Sequence, residues 1–205
     1  MAWGAVTKCN QQVLNRGEFG FIRGYRELMY LVNVGDGDIA WVYRQPSSDL
    51  SLCGNQDKVK SLVLREMAEW GKPLRSMVET TPPERILEKQ ICDRLPLDSW
   101  SKGRVTLLGD AAHPMSPSLG QGANSSFEDA WVLRDCLSNA SDIREALVNY
   151  EQRRIPRLKI IQTRSAKEEM RYYETESEKL NREKQENSQD MTREEFSDWL
   201  NNSQI

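Results

Sequence analysis

Histidine occurs once in these 205 residues, and the four cysteines are scattered with no C-x-x-C pair. Zinc held by paired cysteines is therefore excluded, and the spacing offers no disulfide framework for a chain of this length. The four are read as reduced thiols, which points to the cytoplasm. No apolar run approaches the roughly 18 residues that span a bilayer, so no transmembrane segment is expected. MAWGAVTKCN lacks a basic stretch followed by an apolar one, and no secretory signal is read there. Positive charge is not in excess: Lys and Arg total 28 against 31 Asp and Glu, for a net charge of -3. General attraction to nucleic acid is thereby removed. The one basic cluster, residues 151–167, lacks interleaved aromatics and reads as a solvated helix face. No internal repeat is present. Also missing is a Gly-x-Gly-x-x-Gly turn that opens a helix. GDGDIA, Gly35 to Ala40, has a similar spacing, but IAWVYRQP follows it, aromatic, β-branched and ended by Pro46. That context predicts a hairpin turn rather than a dinucleotide-binding turn.

The patterns that are present predict a mixed α+β fold. EFGFIR, ELMYLVNV and IAWVYRQ read as antiparallel strands over residues 18–44. DKVKSLVLREMAEW carries apolar residues at helical spacing and predicts a helix stopped near Gly71. Residues 73–100 show neither period cleanly and lean to strand, although Thr81-Pro82-Pro83-Glu84 resembles a capping box. VTLL, after the Gly103 turn, reads as a short buried strand. A helix follows from Asn124, with Phe127, Ala130, Trp131, Leu133, Arg134 and Leu137 as its pattern. A second helix is expected from Asp142, capped through Glu145 and kinked at Pro156. Beyond Arg164 the chain turns polar and net acidic. Near its end, Thr192 with Glu195 forms a capping box and Met191 with Phe196 a hydrophobic staple. These predict a short docked helix carrying Phe196, Trp199 and Leu200.

Chemistry concentrates in GDAAHPMSPSLGQGAN, Gly109 to Asn124. A strand delivers Gly109 and Asp110 at its carboxyl end, where ligands of layered α/β proteins bind. Gly109 permits close approach, and Asp110 supplies acceptors suited to sugar-type hydroxyls. Pro114 and Pro117 stiffen the loop. Gly120 and Gly122 bare backbone N–H groups just ahead of a helix, whose N-terminus attracts negative charge. The residues predict hydroxyls near Asp110 and an anionic or electron-rich group near Gly122, Ala123 and Asn124. An ordinary Gly/Pro connection stays open at this point, and a lone His113 reads as structural.

GRVTLLGDAAHPMSPSLGQGANSSFEDA resembles the second flavin motif of FAD-dependent aromatic hydroxylases, the monooxygenase family with the p-hydroxybenzoate hydroxylase fold. Zeaxanthin epoxidase and salicylate hydroxylase are relatives. GDAAH, P-x-x-GQG-x-N and EDA occur in order after DRLPLDSWSKGRV, and YEQRRIPR resembles the helix that follows. The likeness covers about residues 18–165. It implies FAD as cofactor, NAD(P)H as reductant, and oxygen transfer to an aromatic or alkene substrate. The roles it implies are cofactor binding by Gly109, Asp110, Gly120, Gly122, Ala123 and Asn124. Of these, Asp110 would hold the ribityl chain, and the amides of Gly122, Ala123 and Asn124 would face the flavin pyrimidine edge. Pro117 would flank the ring on the substrate side as the candidate catalytic position. Tyr30, Trp41 and Tyr43 would belong to the sheet that roofs the substrate, as core more than contact.

The expected organisation is a partial substrate-binding β-sheet domain with a helix over 1–100, an FAD-binding strand-loop-helix over 101–140, and a helical region over 141–205. The family's N-terminal pyrophosphate turn and its middle Asp-Gly motif have no counterpart here. The expectation is a C-terminal fragment of an α/β flavoprotein, completed by a separate N-terminal FAD-domain chain. The alternative is a non-catalytic interaction protein that keeps a relic flavin loop and works through its charged tail.

Overall fold

The computed structural model describes residues 1–9, 13–47, 51–185 and 191–203, which fall into two compact units, Met1–Ile91 and Cys92–Ile205. The first is built on an antiparallel sheet of β1 (Ala2–Lys8), β2 (Phe19–Gly24), β3 (Glu27–Gly35), β4 (Asp38–Arg44) and β5 (Leu87–Lys89). Its spatial order is β2-β3-β4-β1-β5. Gly35 pairs with Asp38, so Asp36 and Gly37 alone make the β3–β4 turn. Both hold positive φ, 51° and 77°, the conformation that a two-residue hairpin demands. GDGDIA is thus a hairpin, as its strand-like sequel predicts.

Alternation along the strands divides the sheet into two faces. Trp3, Met29, Leu31, Ile39, Trp41 and Tyr43 are buried together with Val59, Val63 and Met67 of α1 (Gln56–Glu66) and with Met77 and Val78 of α2 (Lys72–Thr80). The opposite face is open and apolar. Phe19 and Phe21 of β2, Val6 of β1 and Leu87 of β5 are exposed there. Tyr30 packs against Phe19. Trp41 and Tyr43 are therefore core, whereas Tyr30 lies on the open side.

Two expectations for this unit are corrected. The first helix ends at Glu66, and Gly71 serves instead as the N-cap of α2. Residues 73–80, part of the 73–100 stretch read as leaning to strand, belong to α2, and only Leu87–Lys89 of that stretch extends. Thr81 closes α2 rather than capping a new helix: its Oγ1 donates to Met77 O and accepts from Trp41 Nε1. Pro83–Arg85 makes one 3-10 turn.

The second unit is helical. β6 (Ser101–Lys102) and β7 (Val105–Thr106) form a short hairpin, followed by α3 (Gly122–Asn139), α4 (Ile143–Tyr172), α5 (Glu176–Gln185) and α6 (Arg193–Asn202). VTLL is not the expected buried strand. Only two of its residues pair, and Val105 is 69% exposed. The core gathers Trp100, Ala112, Val132, Cys136, Tyr150, Leu158, Ile161 and Phe196. α4 begins on the Asp142 side chain and runs through Pro156 to Tyr172, past the point where the polar tail was expected. Thr192 and Glu195 form the predicted capping box, and Met191, Phe196, Trp199 and Leu200 join the core. Among the described residues, no helix is long and apolar enough to cross a membrane.

Candidate flavin site

The loop from Gly109 to Asn124 turns twice. Gly109–Ala111 forms a 3-10 turn with Gly109 at φ 60°, and Pro117–Leu119 forms another that ends at Gly120, φ 64°. A Cβ on Gly109 would sit 2.9 Å from Ser126 Oγ, which would have to turn aside, and the positive φ itself calls for glycine there. α4 anchors the inner side of the loop. Ser116 Oγ donates to Ser165 O at 2.9 Å, Gln162 Nε2 to Pro114 O at 3.0 Å, and Tyr172 OH to Ser118 O at 3.1 Å. Arg94 donates to the carbonyls of Ala111 and Ala112.

The outer side is open. Asp110, Pro117, Gly120, Ala123 and Asn124 are exposed, and Gly122 is half-buried. Gln121, at the N-cap of α3, makes no capping bond with its side chain. The first α3 amide to find an acceptor is that of Ser125, on Gln121 O. The N–H groups of Gly122, Ala123 and Asn124 thus have no acceptor among the described residues, and the partial positive charge of the helix end stays unsatisfied. A Cβ built on Gly120 or Gly122 meets nothing within 4 Å, so the approach to these amides is clear. Open donors beside the exposed Asp110 carboxylate suit a group that carries both hydroxyls and an electron-rich edge. FAD fits this donor set.

Beneath the loop lies a charged network that the sequence reading missed. Asp129, wholly buried on α3, accepts from Gly109 N at 3.0 Å and from His113 Nε2 at 2.6 Å through Oδ2. Its Oδ1 accepts from Arg154 Nε at 2.7 Å, and Arg154 also donates to Ser125 O. Burial alone would raise the Asp129 pKa. The bonds from His113, Gly109 N and Arg154 outweigh it and hold the carboxyl below its ordinary range. Glu128 lies 2.8 Å from Arg154 Nη1 and accepts from Arg157 at 2.9 and 3.0 Å, with the same balance of burial against pairing and the same downward shift. Arg157 goes on to donate to Leu200 O and stacks on Trp199 of α6. Arg154 and Arg157, read as part of a solvated face, are in fact buried.

Comparison with known proteins agrees with this picture. The family model described as "FAD binding domain" matches residues 74–165. That match covers less than half of the chain, and the curated relatives that the chain resembles include monooxygenases. Aurachin C monooxygenase/isomerase from Stigmatella aurantiaca is 35% identical over 127 residues, 62% of this chain and 33% of the relative. The chloroplastic zeaxanthin epoxidase of an Oncidium hybrid cultivar is 31% identical over 150 residues, 67% of this chain and 22% of the relative. The chain thus spans a third or less of these curated relatives. Among solved structures, HpxO of Klebsiella pneumoniae, complexed with FAD and uric acid, shares the fold. It has a TM-score of 0.78 at 24% identity, over 90% of this chain and 47% of that one.

Within this family segment, the structure brings Gly109, Asp110, Pro117, Gly120, Gly122, Ala123 and Asn124 into one loop and helix start, as their proximity in sequence implies. The partners that fix the loop were less legible. Asp129 lies inside the quoted EDA, but nothing in the local pattern reveals that its carboxylate turns back to Gly109. Arg154 is 25 residues further on, and only a charge placed on the apolar side of the helical period could have singled it out.

Proposed function

We propose that this chain is the isoalloxazine-side part of an FAD-dependent monooxygenase that uses NAD(P)H and oxygen to hydroxylate or epoxidise an aromatic or alkene substrate. The observation that carries the reading is the uncapped start of α3 beside an exposed, unpaired Asp110 carboxylate. Asp110 accepts hydrogen bonds from ribityl hydroxyls. The amides of Gly122, Ala123 and Asn124, reinforced by the helix dipole, face the electron-rich pyrimidine edge and stabilise negative charge there. Pro117 flanks the ring on the substrate side and helps to keep water away. FAD, when bound, supplies the redox chemistry that activates oxygen. The open face of the first unit's sheet, with Phe19, Phe21 and Tyr30, is an apolar surface suited to the body of an uncharged substrate.

The pyrophosphate and adenosine are held by a separate N-terminal FAD-domain chain. Support comes from α3, whose outward face leaves Phe127, Trp131 and Leu137 75%, 65% and 48% exposed. A face this apolar on a helix that starts at the flavin loop suits burial by a second polypeptide segment. The four cysteines, scattered along the sequence with no close pair, suit a reducing compartment such as the cytoplasm.

The test is a flavin titration of the whole chain, followed by absorbance and fluorescence. Because the chain holds only the ring and ribityl end, riboflavin should bind about as tightly as FAD. Asp110→Ala should weaken both about tenfold to a hundredfold, the loss of a charge-assisted hydrogen bond. Binding of FAD but not riboflavin would place the adenosine end on this chain and overturn the division of labour. Binding of neither would favour the interaction-protein alternative.

A further inference from the structure

Three groups converge on one buried carboxylate. Asp129 Oδ2 takes the Gly109 amide and His113 Nε2, and Oδ1 takes Arg154 Nε from α4. Asp129 on α3 and His113 in the loop are both fully buried, and His113 closes the Gly109 turn, with its own amide on Gly109 O at 2.9 Å. Among the described residues no backbone acceptor serves the Gly109 amide, so Asp129 is what fixes the entry to the loop. Asp110, the next residue, makes no side-chain bond of its own among them. Its direction is therefore set by how Gly109 and His113 are held. At the far end, Asp129 sits on α3 itself, and Arg154 ties Ser125 O of that helix to the same carboxylate. One residue thus sets the spacing between Asp110 and the open amides of Gly122, Ala123 and Asn124.

We propose that Asp129 is the positioning residue of the flavin loop, holding Asp110 and the α3 N-terminus in binding geometry before flavin arrives. The role rests on the flavin reading for its ligand, though not for its structural content. Asp129 touches no substrate or cofactor; it acts through Gly109 and His113. A ribityl chain and a ring edge must be met at once, so the binding groups gain from being set in advance. Asp129 pairs with the loop and with Arg154 through different oxygens. A neutral amide could not accept at both, because its nitrogen would face a donor.

The experiment uses the ¹⁵N-labelled whole chain. In the unsubstituted protein the Gly109 amide should be protected from solvent exchange although it has no backbone partner. Free exchange at Gly109 would overturn the proposal outright, whatever the variants do. Asp129→Asn should then raise exchange over residues 109–120 by at least about tenfold while leaving the sheet of residues 1–91 unchanged. It should also weaken riboflavin binding by about tenfold or more. If Asp129→Asn does not fold, Ser126→Ala and His113→Leu provide the comparison. His113→Leu removes one of the carboxylate's partners and should loosen the loop, whereas Ser126→Ala, which leaves Asp129 untouched, should not. Equal exchange in these two variants would sink the assignment. If the unsubstituted chain binds no flavin at all, the flavin reading fails, and the exchange data still decide whether Asp129 sets the loop.

Discussion

Three carboxylates in the second unit, Asp129 and Glu168 buried and Glu128 half-buried, keep their charge by pairing, and that makes the unit sensitive to acid. Glu128, Asp129 and Glu168 all have pKa values below the ordinary range, because bonds from arginines, and from His113 and the Gly109 amide in the case of Asp129, outweigh the upward push of burial. Glu168 is 2% exposed and meets Arg164, Arg171 and Arg193. A carboxyl with a depressed folded pKa contributes stability above its unfolded value, near 4, and that contribution is lost as pH falls through the folded value. Circular-dichroism melts should therefore show the Tm of the helical unit falling steeply below about pH 4 and level above about pH 6. Glu168→Gln should cost about 1–3 kcal/mol at neutral pH, since the half-buried Arg164 and Arg171 lose their charged partner, and should flatten the acid slope. A slope that Glu168→Gln leaves unaltered would remove Glu168 from the account. Only part of this pairing is local: Arg164 and Arg171 stand one turn from Glu168 on α4. The partners of Glu128 and Asp129 come from distant parts of the chain, and burial of a charge depends on partners that only the fold supplies.

Elements were most legible where one local rule dominates. The β3–β4 hairpin follows from Asp36-Gly37, because few residues accept positive φ at both turn positions, and the α6 cap follows from Thr192 and Glu195. α3 was legible as a helix, but its phase was not. The apolar residues that mark its period, Phe127, Trp131 and Leu137, point outward. Its buried side instead carries Ser125, Asp129, Val132 and Cys136. Hydrophobic periodicity assumes that the apolar side faces the core. Here two of the four buried positions are polar, because they serve the loop and Arg154. α2 was missed for a related reason: Pro73 and Gly71 look like breakers, yet proline is well suited to the first turn of a helix. An exposed Trp131, with the Arg134 guanidinium over its ring, contributes little to this unit by itself. Trp131→Glu should change the chain's Tm by no more than the effect of about 0.5 kcal/mol while lowering its tendency to self-associate. A large loss of stability would mean that the face is already packed in solution.

At the scale of the molecule, the described residues form two units with separate cores, one around Trp41 and Tyr43 and one around Tyr150 and Leu158. A unit with its own core can fold alone. The flavin loop, its anchors on α4 and the Asp129 network all lie within Cys92–Ile205. Residues 92–205 produced alone should therefore keep their helical signal and bind riboflavin as the whole chain does. A ligand present at about 100 times its Kd stabilises the state that binds it by about 2.7 kcal/mol, which for a unit of this size corresponds to a rise in Tm of about 10 °C. Calorimetry of the two pieces separates the contributions: riboflavin should shift the transition of 92–205 and leave that of 1–91 where it was. A shift in 1–91, or loss of flavin binding from a folded 92–205, would mean that the ring is gripped by both units and that the loop with its buried aspartate is insufficient.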